Sequence, residues 1–133
     1  MTGDPMLYRA QADAIVQRAA DQLRALLRTL AQDIDPFPPF PGSLFSYGIE
    51  VEPPGGDAER GCVVLGEDGE LYELQIWFDV EQAPSGNPLA MRAEQRVPLA
   101  GLPPALYVAY AQRAVAAASE YLERRAQQQQ AQQ

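Results

Sequence analysis

The stretch that most constrains this chain is Gly61 to Val80, GCVVLGEDGELYELQIWFDV. Two runs of strand-favouring residues flank Asp68-Gly69, a pair that tolerates φ > 0 and suits a two-residue type I′ hairpin turn. In that register Glu67 faces Glu70, Leu65 faces Tyr72, Val63 faces Leu74 and Gly61 faces Ile76. One face then reads Val63, Leu65, Tyr72, Leu74, Ile76, Phe78 and Val80, and is the expected core face. The other carries Cys62, Val64, Leu71 and Trp77 beside Arg60, Glu73, Gln75 and Asp79. Arg60 falls opposite Trp77, a candidate cation–π pair.

The rest of the chain is placed around this hairpin. Residues 1–4 read as a loose end. Asp4-Pro5 is an N-cap followed by Pro at the first helical position. From there to about Gln32, Val16, Ala19, Leu23, Leu26 and Leu30 step by three and four, widened by Ile15 and Leu27. This predicts a helix lying on a sheet, or alternatively a seam in a helical dimer. Asp35 to Gly42 is dense in Pro, which stops the helix. Its two PxxP spacings lack the basic neighbour of an SH3 ligand, because Asp33 and Asp35 stand there. It reads as a stiff connector with Phe37 and Phe40 tucked against the core.

Ser43 to Glu52 alternates, with Phe45, Tyr47, Ile49 and Val51 on one side, the pattern of a half-buried antiparallel strand. Pro53 to Asp57 ends it as a loop. Glu81 to Pro88 is a second loop. Leu89 to Leu99 is read as an edge strand closed by Pro98, with a short helix as the alternative. Pro103-Pro104 opens a last helix to about Ala126, striped by Val108, Ala111, Val115, Ala118 and Leu122, with Tyr107, Tyr110 and Tyr121 alongside. Gln127 to Gln133 is low in complexity and expected to fray. The expected fold is α+β: one domain over residues 1–133, in the order α-β-β-β-β-α. A three- to four-stranded antiparallel sheet carries both helices on one face.

Composition narrows the chemistry. The 133 residues include no His and one Cys. That removes Ser-His and Cys-His dyads, His-ligated zinc, an intrachain disulfide and Cys-based metal sites. No GxGxxG, P-loop or EF-hand spacing is present, and no cofactor is expected. Every basic residue is Arg, and the net charge of −8 argues against nucleic acid and against an anionic membrane surface. Apolar runs are too short to cross a bilayer, and no signal-peptide pattern opens the chain, so a cytoplasmic location is the default expectation. Cys62, with no His or Lys near it in sequence, reads as a structural thiol.

Two functional readings follow. An apolar second sheet face made of Cys62, Val64, Leu71 and Trp77 with Arg60 predicts an interface. The chain is then a non-catalytic binding or adaptor domain, a homodimer or bound to a protein partner. The alternative is a divalent-metal-dependent enzyme working through Glu50, Glu52, Glu73 and Asp79, all expected on the face away from the core. A pocket lined by Tyr47, Tyr72 and Tyr110 is a weaker third possibility. In size, charge and element order the chain resembles small acidic bacterial secretion chaperones and related adaptors, a likeness of fold class alone.

Overall fold

The computed structural model describes residues 3–41, 46–55, 61–78 and 92–132. Asp4 caps the first helix, its carboxylate accepting from the Met6 N–H at 2.9 Å, and α1 then runs Pro5–Gln32. Four strands follow: β1 Ile49–Val51, β2 Cys62–Leu65, β3 Leu71–Phe78 and β4 Arg92–Pro98. The last helix, α2, runs Pro104–Ala131. The strands form one antiparallel sheet in the order β1-β2-β3-β4, and the two helices pack together on one face of it. The α+β order α-β-β-β-β-α expected from the sequence is what the chain adopts.

The helices run side by side in the same direction. Asp13 and Gln17 border the start of α2 at Pro103, Pro104 and Ala105. Further along, the Arg24 guanidinium stacks 4.5 Å from the Tyr107 ring centre, and Arg125 donates to the Pro36 carbonyl at 3.4 Å. Between them lies the core: Ala20 and Leu27 of α1, Tyr110, Ala111, Ala114 and Ala118 of α2, and Val51, Val63, Leu65 and Leu71 of the sheet. Small Ala side chains on α2 let its backbone approach the sheet closely, which suits the dense packing of protein interiors. α2 continues through Gln127–Gln130, where the sequence suggested a frayed tail; Gln and Ala are good helix formers.

The hairpin differs from expectation by one residue. Gly66 N–H donates to the Glu70 carbonyl at 2.9 Å, and Gly69 N–H donates to the Gly66 carbonyl at 3.0 Å. The loop is therefore Glu67-Asp68-Gly69, a type I turn closed by Gly69 at φ 82°. Among the described residues no residue other than Gly has positive φ, so Asp68 does not adopt the φ that a type I′ turn requires. Its carboxylate instead accepts from the Glu70 N–H at 3.0 Å and from the Tyr72 hydroxyl. The register becomes Leu65↔Leu71, Val64↔Tyr72, Val63↔Glu73 and Cys62↔Leu74. Because side chains alternate with period two, this slip exchanges the faces of β3. Leu71, Glu73, Gln75 and Trp77 share the helix side with Val63 and Leu65; Tyr72, Leu74 and Ile76 share the far side with Cys62 and Val64. The core face expected for Tyr72, Leu74 and Ile76 is corrected accordingly. Phe78 is β3's last residue, and Val80 lies outside the described residues.

Gly69 also touches α1. A Cβ built on it would meet Arg28 Cα at 2.6 Å and Leu27 C at 3.0 Å. Replacing Gly69 with Ala is expected to cost at least ~2 kcal/mol, combining αL strain with backbone overlap. Gly55→Ala, at a site with nothing within 4 Å, is expected to be near neutral. Urea denaturation of the two variants checks this.

Candidate functional site

Among the described residues no helix lies on the far face of the sheet, yet Val64 is 1% and Leu74 5% exposed. The stretch 46–48 lies across that face. Ser46 Oγ donates to Glu94 Oε2 at 3.3 Å, reaching β4, while Gly48 sits so close to β2 that an added Cβ would be 3.0 Å from Val64 Cβ. The Pro-rich connector holds this stretch in place: Phe40 N–H donates to the Ser46 carbonyl at 3.0 Å and Gly48 N–H to the Pro38 carbonyl at 3.1 Å. Pro39 and Tyr47 form an isolated antiparallel bridge. The stiff connector thus carries an edge pairing.

A clasp fastens the arrangement at the hairpin end. Arg96 of β4 crosses the far face with its guanidinium 4.4 Å from the Tyr72 ring centre. It holds Glu67 with two bonds, 2.7 and 3.0 Å, and donates to the Tyr47 carbonyl at 3.2 Å. Bidentate Arg–carboxylate geometry is the strong form of this contact. The hydrogen bond from Arg96 holds the Glu67 carboxyl below its usual range. Burial pushes Asp68 upward, but hydrogen bonds from the Tyr72 hydroxyl and the Glu70 N–H outweigh it, and the net shift is down. The bond to Asp68, with burial added, pushes Tyr72 up to about 12 from 10.0.

Against this geometry the candidate interface residues separate. Cys62 and Val64 lie on the far face, Leu71 and Trp77 on the helix side, so they make no common surface. Val64 and Leu71, 1% and 5% exposed, are buried within the chain and offer little to a partner. Cys62 is half-buried, and burial followed by the nearby Glu50 carboxylate pushes its thiol pKa up, away from nucleophile character. Arg60 lies outside the described residues, and with it the Arg60–Trp77 pair. Trp77 is 43% exposed and so is Ile76, on the opposite face of β3. They sit where β3 and β4 continue beyond β2, whose pairing with β3 ends at Cys62↔Leu74.

The candidate metal ligands separate as well. Glu50 pairs with Val64 on the far side, Glu73 with Val63 on the helix side, and Asp79 lies outside the described residues. Glu52 is ion-paired to Arg113 of α2 at 3.3 Å. Glu50 and Glu52 line an open cleft between β1 and α2 with Arg113 and Glu120. Among the described residues no group of three or more Asp, Glu, His or Cys side chains is placed to hold a metal ion. The three Tyr of the possible pocket are also apart: Tyr110 is fully buried in the helix-side core, and Tyr47 is 54% exposed beside the Tyr72 clasp. No described helix is long and apolar enough to cross a membrane.

Sequence reasoning missed the Arg96 clasp and the exposed start of α1. The clasp depends on register, which spacing alone did not fix. Searches for similar proteins return no family model, no curated protein and no solved structure that matches this chain.

The clasp has a defined pH signature. Glu67 and Asp68 are depressed in the fold, so they add stability above the ordinary carboxylate range and lose it as pH falls through their folded values. Tyr72 is raised, so its contribution is complete below about 10 and lost between 10 and about 12. Arg96→Gln is expected to cost about 1–2 kcal/mol at neutral pH and to move the acid unfolding midpoint upward. Circular dichroism against pH measures both.

Proposed function

We propose that the chain is a small non-catalytic binding domain that works as a homodimer. The observation that carries this reading is the set of large apolar side chains left on the surface of an otherwise acidic chain. They include Met6, Leu7, Tyr8, Ile15 and Leu26 on α1, from 49% to 78% exposed, Tyr47 at 54%, and Ile76 and Trp77 at 43% on the β3–β4 ribbon. Exposed apolar groups gathered in this way mark interaction surfaces. A ribbon presenting an aliphatic side chain on one face and Trp on the other suits a partner that grips it from both sides. The alternative, a divalent-metal enzyme acting through carboxylates, needs Glu73 beside Glu50 and Glu52. The register sets Glu73 on the opposite face, which favours the binding reading.

Light scattering coupled to gel filtration tests the reading over roughly 5–500 μM chain, spanning micromolar dissociation constants. A mass rising to twice the 14.6 kDa of one chain is expected. A mass that stays at 14.6 kDa over the whole range sinks the homodimer. Trp77→Ala separates the two surfaces: with the ribbon kept for another partner, the mass curve is unchanged, and a lost dimer would place the ribbon in the seam instead.

A further inference from the structure

α1 carries a second apolar seam that the fold does not use. Tyr8, Ala12, Ile15, Ala19, Gln22 and Leu26 step alternately by four and three, the spacing of a coiled-coil stripe. The seam that meets the core, with Ala20, Leu23, Leu27 and Leu30, follows the same steps one residue later. One residue on a helix turns the direction by about 100°, so the two stripes face different ways. Residues 3–15 are all exposed, and burial in the core begins at Ala20. The start of α2 borders this part of α1 at Asp13, Ala14, Val16 and Gln17, while Tyr8, Ala12, Ile15, Gln22 and Leu26 of the second stripe are exposed and Ala19 is half-buried.

Resting on the homodimer reading, we infer that residues 4–19 of α1 form the dimer seam by pairing antiparallel with the same stretch of a second copy. Shape is the first argument. With the two-fold axis between Asp13 and Ala14, Tyr8 of one copy falls level with Ala19 of the other, and Ala12 with Ile15. Each large side chain meets a small one, in both halves, as a two-fold interface requires. Parallel pairing sets Tyr8 against Tyr8, Ile15 against Ile15 and Ala against Ala, alternating crowded and empty layers. Charge is the second argument. The chain carries −8 overall, but residues 4–19 hold Asp4 and Asp13 against Arg9 and Arg18 and are neutral. Here two acidic copies approach with the least repulsion. The seam is about 24 Å long at 1.5 Å per residue, shorter than a standard interface of about 800 Å² a side needs. Dissociation in the micromolar range is therefore expected.

The test is light scattering and sedimentation equilibrium on the full chain and three variants. Ile15→Asp is expected to raise the dissociation constant at least tenfold. Ala12→Ile overfills the Ala12/Ile15 layer and is also expected to weaken pairing about tenfold, although it makes the helix more apolar. The exchange variant Ala12→Ile with Ile15→Ala restores one large and one small side chain per layer and is expected to return within about threefold of the parent. Both sites are exposed, and unchanged helical circular dichroism verifies the fold. A dimer indifferent to Ile15→Asp and Ala12→Ile overturns the seam while the homodimer stands. A monomer at every concentration overturns both. Weakening by Ala12→Ile without recovery in the exchange variant overturns the antiparallel register.

Discussion

The tip of the β2–β3 hairpin rests directly on the backbone of α1. Gly69, in the left-handed region at φ 82°, leaves no room for a side chain above Arg28 and Leu27. Glu70, next in the chain, reaches the Arg28 guanidinium at 3.2 Å. This contact joins a sheet whose register is set by the turn to a helix whose phase is set by Leu27, which is fully buried. A turn of one fewer residue would present other side chains of β3 to the helices, and a residue other than Gly would lift the sheet off α1. Local turn chemistry and global packing therefore specify the same arrangement, as expected of a minimally frustrated fold.

The register has a consequence on both sides of β3. Toward the helices it places Glu73 and Gln75, which hydrogen-bond each other at 3.4 Å, so the core closes at Leu71 and does not extend along the strand. Away from the helices it places Tyr72, Leu74 and Ile76, together with Val64, on the face opposite α1 and α2. Water would otherwise meet that surface. Residues 46–48 lie over it, and Arg96 ties them to the Glu67 side of the turn. The connector between α1 and β1 is consequently a structural layer. Its prolines hold an extended shape at small entropic cost on folding, and Pro38 still supplies a carbonyl for Gly48.

The elements themselves were legible in the sequence. Pro5 after an Asp N-cap, the Pro-rich break after Ile34, the alternation around Ile49 and Val51, and Pro98 after an alternating run each mark a boundary through backbone chemistry. The pairing was not legible. Asp-Gly serves a two-residue I′ loop and a three-residue loop ending in Gly at αL equally well, and β3 reads apolar in both phases, with Leu71 and Trp77 in one and Leu74 and Ile76 in the other. What decides is the contact of Gly69 with α1 and the capture of Asp68 by Tyr72, both tertiary. The candidate interface and the candidate carboxylate cluster were each assembled from the I′ register, so each came apart with it. Tyr47 failed for a related reason: its phase matches Ile49 and Val51, but its carbonyl serves the Arg96 clasp and its side chain is 54% exposed.

The length of α1 is the feature that packing inside one chain leaves over. From Ala20 onward the helix is fixed by the sheet, by α2 and by the hairpin tip. The turns before it bury almost nothing, and a free helix of 12–15 residues is marginal in water. The Asp4 cap and continuity with the anchored half favour helix there, and Ala, Leu, Arg and Gln give it good propensity. Yet this stretch spends its apolar residues on solvent: Tyr8 and Ile15 align one residue out of phase with the core stripe. A segment selected only for solubility has no use for a large–small–large–small order at four–three spacing. On the dimer reading proposed above, two stripes about 100° apart on one helix divide its surface between the fold of the chain and a second copy. The electrically neutral half carries the second stripe.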